Sequence, residues 1–101
     1  MRWSFKVWAQ ETDWPTLRDC WIEADRGGFW DMVWLNDHLY PPKAPAELPI
    51  MEAWSLFGGL AAITERLRFG TMVSSNTFRH PAILAKQAAT LDQMSNGRGE
   101  I

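Results

Sequence analysis

Polar and apolar positions alternate at the start of the chain. Over residues 2–8, Trp3, Phe5 and Val7 are interleaved with Arg2, Ser4 and Lys6, the two-residue period of a strand. Asp13 and Pro15 supply helix-start chemistry, and Trp14, Leu17, Trp21 and Ala24 then recur at three- and four-residue steps until Gly27-Gly28. This spacing predicts a helix of about three turns. Residues 30–35 (WDMVWL) form a short run of strand formers, with polar Asn36-Asp37-His38 at its C-terminal tip. Residues 39–49 hold four prolines, so a long irregular loop is expected over the same end, and long loops are often functional. Pro49 opens a segment in which Ala53, Trp54, Phe57, Leu60, Ala61 and Ile63 cover a broad helical face, closing with Thr64-Glu65-Arg66. Residues 67–73 (LRFGTMV) read as a third strand. His80-Pro81 starts a third helix whose apolar side carries Ile83, Leu84, Ala88, Leu91 and Met94, with Gly97 as its stop. Residues 98–101 begin a fourth strand.

The order is βαβαβαβ with strand starts about 30 residues apart, the rhythm of βαβ units in a parallel sheet. A doubly wound dinucleotide-binding domain would place G-x-G-x-x-G after its first strand. That turn reads Ala9-Gln10-Glu11-Thr12-Asp13 instead. The missing fingerprint shifts weight toward an α/β (β/α)8 TIM barrel over a doubly wound domain, and in such a barrel residues 1–101 would be the N-terminal part of the one domain. About three βα units and the start of a fourth strand are present, against a typical barrel length of about 250 residues. A truncated barrel of this kind leaves a parallel sheet with an open edge and an uncovered inner face.

With 101 residues, 47% apolar and 22% charged, and a net charge of −2, the chain has the balance of an ordinary globular protein. Its basic residues are scattered singly, which argues against nucleic acid or an anionic membrane surface as partner. No apolar run approaches the roughly 18–20 residues of a membrane span, and the charged N-terminus lacks a signal peptide's apolar core. A cytoplasmic protein is expected. Cys20 is the single cysteine, expected to be a small buried residue on its helix. Cys20, His38 and His80 share no ligand spacing, so no metal site is expected. Seven tryptophans suit either a sugar-binding platform or a large enzyme core, and the βα rhythm favours the core.

Several stretches together resemble a known family. Residues 24–36 (ADRGGFWDMVWLN) with Asp37-His38-Leu39 are similar to the second strand of the bacterial-luciferase superfamily of flavin and deazaflavin oxidoreductases. Ala61-Ala62-Ile63-Thr64-Glu65-Arg66, Gly70-Thr71, Arg79-His80-Pro81-Ala82 and Ala88-Ala89-Thr90-Leu91-Asp92 follow the family's order of helix end, strand end, helix start and helix. The match covers nearly the whole chain. The resemblance implies an oxidoreductase or monooxygenase that uses coenzyme F420 or FMN on a small organic substrate and is often a homodimer. A luciferase-related barrel subunit that serves only in assembly is the alternative.

The resemblance also assigns residues. Asp37 and His38 correspond to a pair beside the coenzyme ring in deazaflavin-dependent members, with His38 as the base. Chemically, an imidazole accepts a substrate hydroxyl proton while hydride leaves the same carbon. The alternative is that Asp37 and His38 hold the loop through backbone hydrogen bonds. Met72-Val73 corresponds to a cis non-prolyl peptide whose bulge supports the ring from behind, with Ser75 following. One departure stands out: sugar-phosphate dehydrogenases of the family carry a tryptophan four residues after the His, where this chain has Pro42. Arg79-His80-Pro81 reads as a structural helix start, and Glu52 and Glu65 as solvated helix flanks.

Overall fold

The computed structural model describes residues 1–100, so the fourth-strand residue Ile101 lies outside the described part. The elements are β1 (Ser4–Val7), α1 (Trp14–Gly27), β2 (Met32–Leu35), α2 (Ala53–Ile63), β3 (Arg68–Thr71), α3 (Pro81–Met94) and β4 (Gly99–Glu100). All three strand pairings are parallel, in the spatial order β1-β2-β3-β4. Each helix is thus the crossover between neighbouring strands, as parallel pairing requires. This is the opening portion of a (β/α)8 barrel.

Register explains which side chains face which way. Val33 and Leu35 of β2 are fully buried toward the helices, and Phe69 of β3, the register partner of Val33, points the same way. Phe5 and Val7 of β1 join them. The alternate positions Lys6, Trp34, Gly70 and Glu100 line up across the sheet on the opposite, inner face. Gly70 is required there by close approach. A Cβ at this position would run into the Glu100 carbonyl of β4 and lie 3.0 Å from the Trp34 ring.

Local chemistry sets the helix ends. Asp13 Oδ1 accepts the Thr16 N–H at 2.9 Å, Pro15 sits in the first turn, and Gly28 ends α1 in the left-handed region at φ 70°. Leu17 and Trp21 are its buried stripe. The Cys20 thiol is exposed rather than buried, because it falls outside that stripe. At α2 the helix begins at Ala53, later than the Pro49 start expected, and the Glu52 carboxylate caps it by accepting from Trp54 N and Ser55 N at 3.1 and 2.7 Å. Trp54, Leu56, Phe57, Leu60 and Ala61 of α2 form the centre of the core. His80 and Pro81 start α3 as expected, with His80 Nδ1 accepting from Ala82 N. Ile83 and Met94, expected on the apolar side, are more than half exposed. α3 packs chiefly on α2 and β4, and its buried residues are Ala88 and Leu91.

The end of the sheet where the strands begin is stapled by polar side chains. Asp25 of α1 accepts from Glu65 N, Arg66 N and Leu67 N at 2.9, 2.9 and 2.6 Å, fixing the turn from α2 into β3. These bonds outweigh the burial that pushes its carboxyl up, and hold it below the ordinary carboxylate value. Buried Arg98 spends its guanidinium on Ala61 O, Thr64 O, Thr64 Oγ1, Leu67 O and Ser95 O. Replacing Arg98 with Met should strand these acceptors and lower stability by about 3 kcal/mol. Arg98→Lys should recover only part, because an ammonium offers three donors in place of a planar five-donor fork. Urea unfolding of the intact protein measures both.

Candidate functional site

β2 and β3 finish side by side. Their register pairs Leu35 with Thr71, and Met72 N donates to Leu35 O at 2.8 Å as the last rung. Asn36-Asp37-His38 therefore leaves the sheet next to Met72-Val73-Ser74-Ser75. The Met72-Val73 peptide is cis, and its two side chains are 45% and 75% exposed. An apolar bulge thus stands open to solvent at the C-terminal mouth of the strands.

Asp37 turns to the helix side and is only 3% exposed. Its carboxylate receives Arg79 on both oxygens, Nη1 to Oδ2 at 2.5 Å and Nη2 to Oδ1 at 2.9 Å, and also accepts Ser75 N at 2.8 Å. Arg79 Nη2 also reaches Glu52 Oε1 at 3.0 Å, and the guanidinium lies 5.8 Å from the Trp54 ring. One buried ion pair thus joins the tip of β2, the exit of β3, the start of α2 and the approach to α3. Burial pushes the Asp37 carboxyl up, but the bonds from Arg79 and Ser75 and the Arg79 charge overcome this and hold it below its ordinary value of 3.8.

His38 is half-buried and stacks on Trp8 at a centroid distance of 6.3 Å and an interplanar angle of 30°. Lys6 Nζ lies 5.6 Å from the same indole. The proline-rich loop is fastened at its far end to the segment after β1: Gln10 bridges Ile50, Glu11 N donates to Pro49 O, and Met51 N donates to Ala9 O. Asn36, next to Asp37 in the chain, is 6% exposed, and neither Oδ1 nor Nδ2 has a hydrogen-bond partner.

All five candidate residues, Asp37, His38, Met72, Val73 and Ser75, stand at the ends of β2 and β3, and the Ser75 N–H bond ties Asp37 to the second group. The Asp37 carboxylate itself is engaged by loop backbone and Arg79, as the loop-holding alternative expects. Arg79 and Glu52 went unread as partners. Glutamate is an uncommon helix cap, and nothing in their spacing brings residues 37, 52 and 79 together. Trp8 was legible only as a strand residue. Among the described residues, no three His, Cys, Asp or Glu side chains gather as metal ligands, and no helix is long and apolar enough to cross a membrane.

Residues 5–101 match the luciferase-like monooxygenase family. The chain belongs to this family. It is 36% identical over 104 residues to an F420-dependent glucose-6-phosphate dehydrogenase of Nakamurella multipartita, covering 97% of this chain and 29% of that protein. Its structure is similar to that of an F420-dependent secondary alcohol dehydrogenase in complex with an F420-acetone adduct, with a TM-score of 0.84 and 26% identity over 99% of this chain and 30% of the other. The coenzyme F420 dependent tetrahydromethanopterin reductase of Methanopyrus kandleri shares the fold at a TM-score of 0.75 and 23% identity, over 97% of this chain and 25% of that one. The luciferase-like chain described here thus spans less than a third of the length of these proteins.

The Asp37–Arg79 pair has a pH signature. A carboxyl held below its unfolded value contributes stability that is full above about pH 4 and is lost as pH falls through the lower folded value. Arg79→Met should cost about 3 kcal/mol. It should also flatten the acid dependence, since the Arg79 bonds and charge that hold the Asp37 carboxyl down against its burial are gone. Urea midpoints from about pH 2 to about pH 6 report both effects.

Proposed function

We propose that this chain forms part of the coenzyme site of an F420-dependent oxidoreductase that moves hydride to or from a small organic substrate. The observation that carries the proposal is the exposed Met72 and Val73 pair at the mouth, beside the tip that holds His38. A flat tricyclic ring needs an apolar surface to lie on, and this bulge has the right chemistry and exposure. The F420-dependent relatives, matched over 97–99% of this chain, support the same coenzyme. FMN is the other ring that such a surface accepts.

When bound, F420 supplies a ring carbon that gives or takes hydride. The protein's share is placement and proton handling. Met72 and Val73 back the ring, while Asp37, through Ser75 N and Arg79, keeps the bulge at a fixed distance from the β2 tip. His38, propped on Trp8, takes the proton from a substrate hydroxyl as the adjacent carbon is oxidised, or returns it in the reverse direction. The substrate is a small alcohol or its carbonyl partner. Pro42 stands where the sugar-phosphate enzymes of the family carry tryptophan, and Tyr40 beside it is 67% exposed, so a sugar phosphate is not carried over.

Fluorescence titration of the intact protein with F420, and in parallel with FMN, tests the coenzyme. Saturable binding of F420 is expected, and binding of neither would overturn the proposal. His38→Ala should cut kcat by about 100-fold or more while leaving coenzyme affinity nearly unchanged. A loss of affinity with kcat intact would remove His38 from proton transfer. Asp37→Ala should weaken coenzyme binding by roughly 5- to 150-fold, because the bulge loses its anchor. Unchanged affinity would leave Asp37 a purely structural role.

A further inference from the structure

Asn36 is costly as it stands. β2 alternates strictly, with Val33 and Leu35 buried toward the helices and Met32 and Trp34 half-buried on the inner face. Continuing that alternation puts Asn36 on the inner side at the mouth, between Trp8 and Met72 in the neighbouring strands' exits, while Asp37 returns to the helix side to meet Arg79. Among the described residues, Asn36 is the one side chain whose donor and acceptor are both buried and unpaired; the other such side chains, such as Trp21 and Gln87, each leave a single atom. A buried carboxamide with neither hydrogen bond made is disfavoured relative to a leucine of similar volume. Its presence calls for a partner that offers an acceptor and a donor side by side.

From this we infer that the Asn36 carboxamide recognises the pyrimidinedione edge of the ring coenzyme. That edge presents an N–H flanked by carbonyls. Oδ1 accepts from the N–H while Nδ2 donates to an adjacent carbonyl, so both orphaned atoms are satisfied by one flat group lying on the Met72-Val73 bulge. The edge contact fixes how the ring is turned on its apolar support, which stacking alone does not. This inference rests on the proposed coenzyme site.

The test is Asn36→Leu in the intact protein, read by two measurements that do not involve turnover. Titration with F420, followed by its fluorescence, should show binding weakened by roughly 10-fold or more. The thermal midpoint of the coenzyme-free protein should stay the same or rise, because a buried unpaired amide has been replaced by an apolar group of similar size. Unchanged affinity would overturn the inference. So would a lowered coenzyme-free midpoint, or failure to fold, since the amide would then be serving a protein partner. If the wild-type protein binds neither F420 nor FMN, the coenzyme site itself falls. Binding by wild type with equal binding by Asn36→Leu sinks the Asn36 assignment alone.

Discussion

The buried contact between Asp37 and Arg79 organises the mouth of the sheet. Two charges taken out of water are favourable only when each is fully hydrogen-bonded, and here both carboxylate oxygens and the facing guanidinium nitrogens are engaged. The partners come from two connections in the chain, Asp37 and Glu52 from the one between β2 and α2, and Ser75 and Arg79 from the one between β3 and α3. Removing Arg79 leaves the buried Asp37 charge uncompensated, so the geometry of the bulge, the β2 tip and two helix starts is settled together. The Met72-Val73 bulge is thus fixed relative to the β2 tip by the protein's own bonds.

The opposite end of the sheet serves a different purpose. Asp25, Arg66 and Arg98 tie loop backbone to helix ends there, with the Arg66 guanidinium also reaching Ala24 O and Trp30 O. Their partners are mostly main-chain groups, which have nowhere else to bond once buried. The strand-start end is thus held by side chains on main-chain groups and the other end by one buried ion pair, and the candidate site stands at the end where barrel enzymes generally place theirs.

Much of this was legible in the chain because the signals are local. A two-residue period located β1, short runs of strand formers located β2 and β3, the 3.6-residue period located the three helices, Asp13 and His80-Pro81 marked two helix starts, and the resemblance placed the cis bond at Met72-Val73. What remained hidden depends on contacts between residues far apart in sequence. Glu52 and Arg79 look like ordinary surface charges until the fold brings them to Asp37. Ile83 and Met94 follow the helical period well enough to look buried, but which side of a helix is covered depends on its neighbours, and Cys20 was expected inside by residue type although it falls outside the stripe of α1. Asn36 was read as part of a polar tip, and what separates it from the similarly buried Asp37 is that neither of its side-chain polar atoms has a partner.

Gly70 bears on how the sheet grows. The chain after α3 joins an existing edge, and it does so where the Glu100 carbonyl settles against a residue with no side chain. Position 70 is therefore a berth: the missing methyl group selects the line along which the next strand docks, and the Trp34 indole from the strand behind fills the remaining space. Such a site is closed to drift. Even alanine would meet main chain on one side and an aromatic ring on the other, and main chain cannot be trimmed by a compensating substitution.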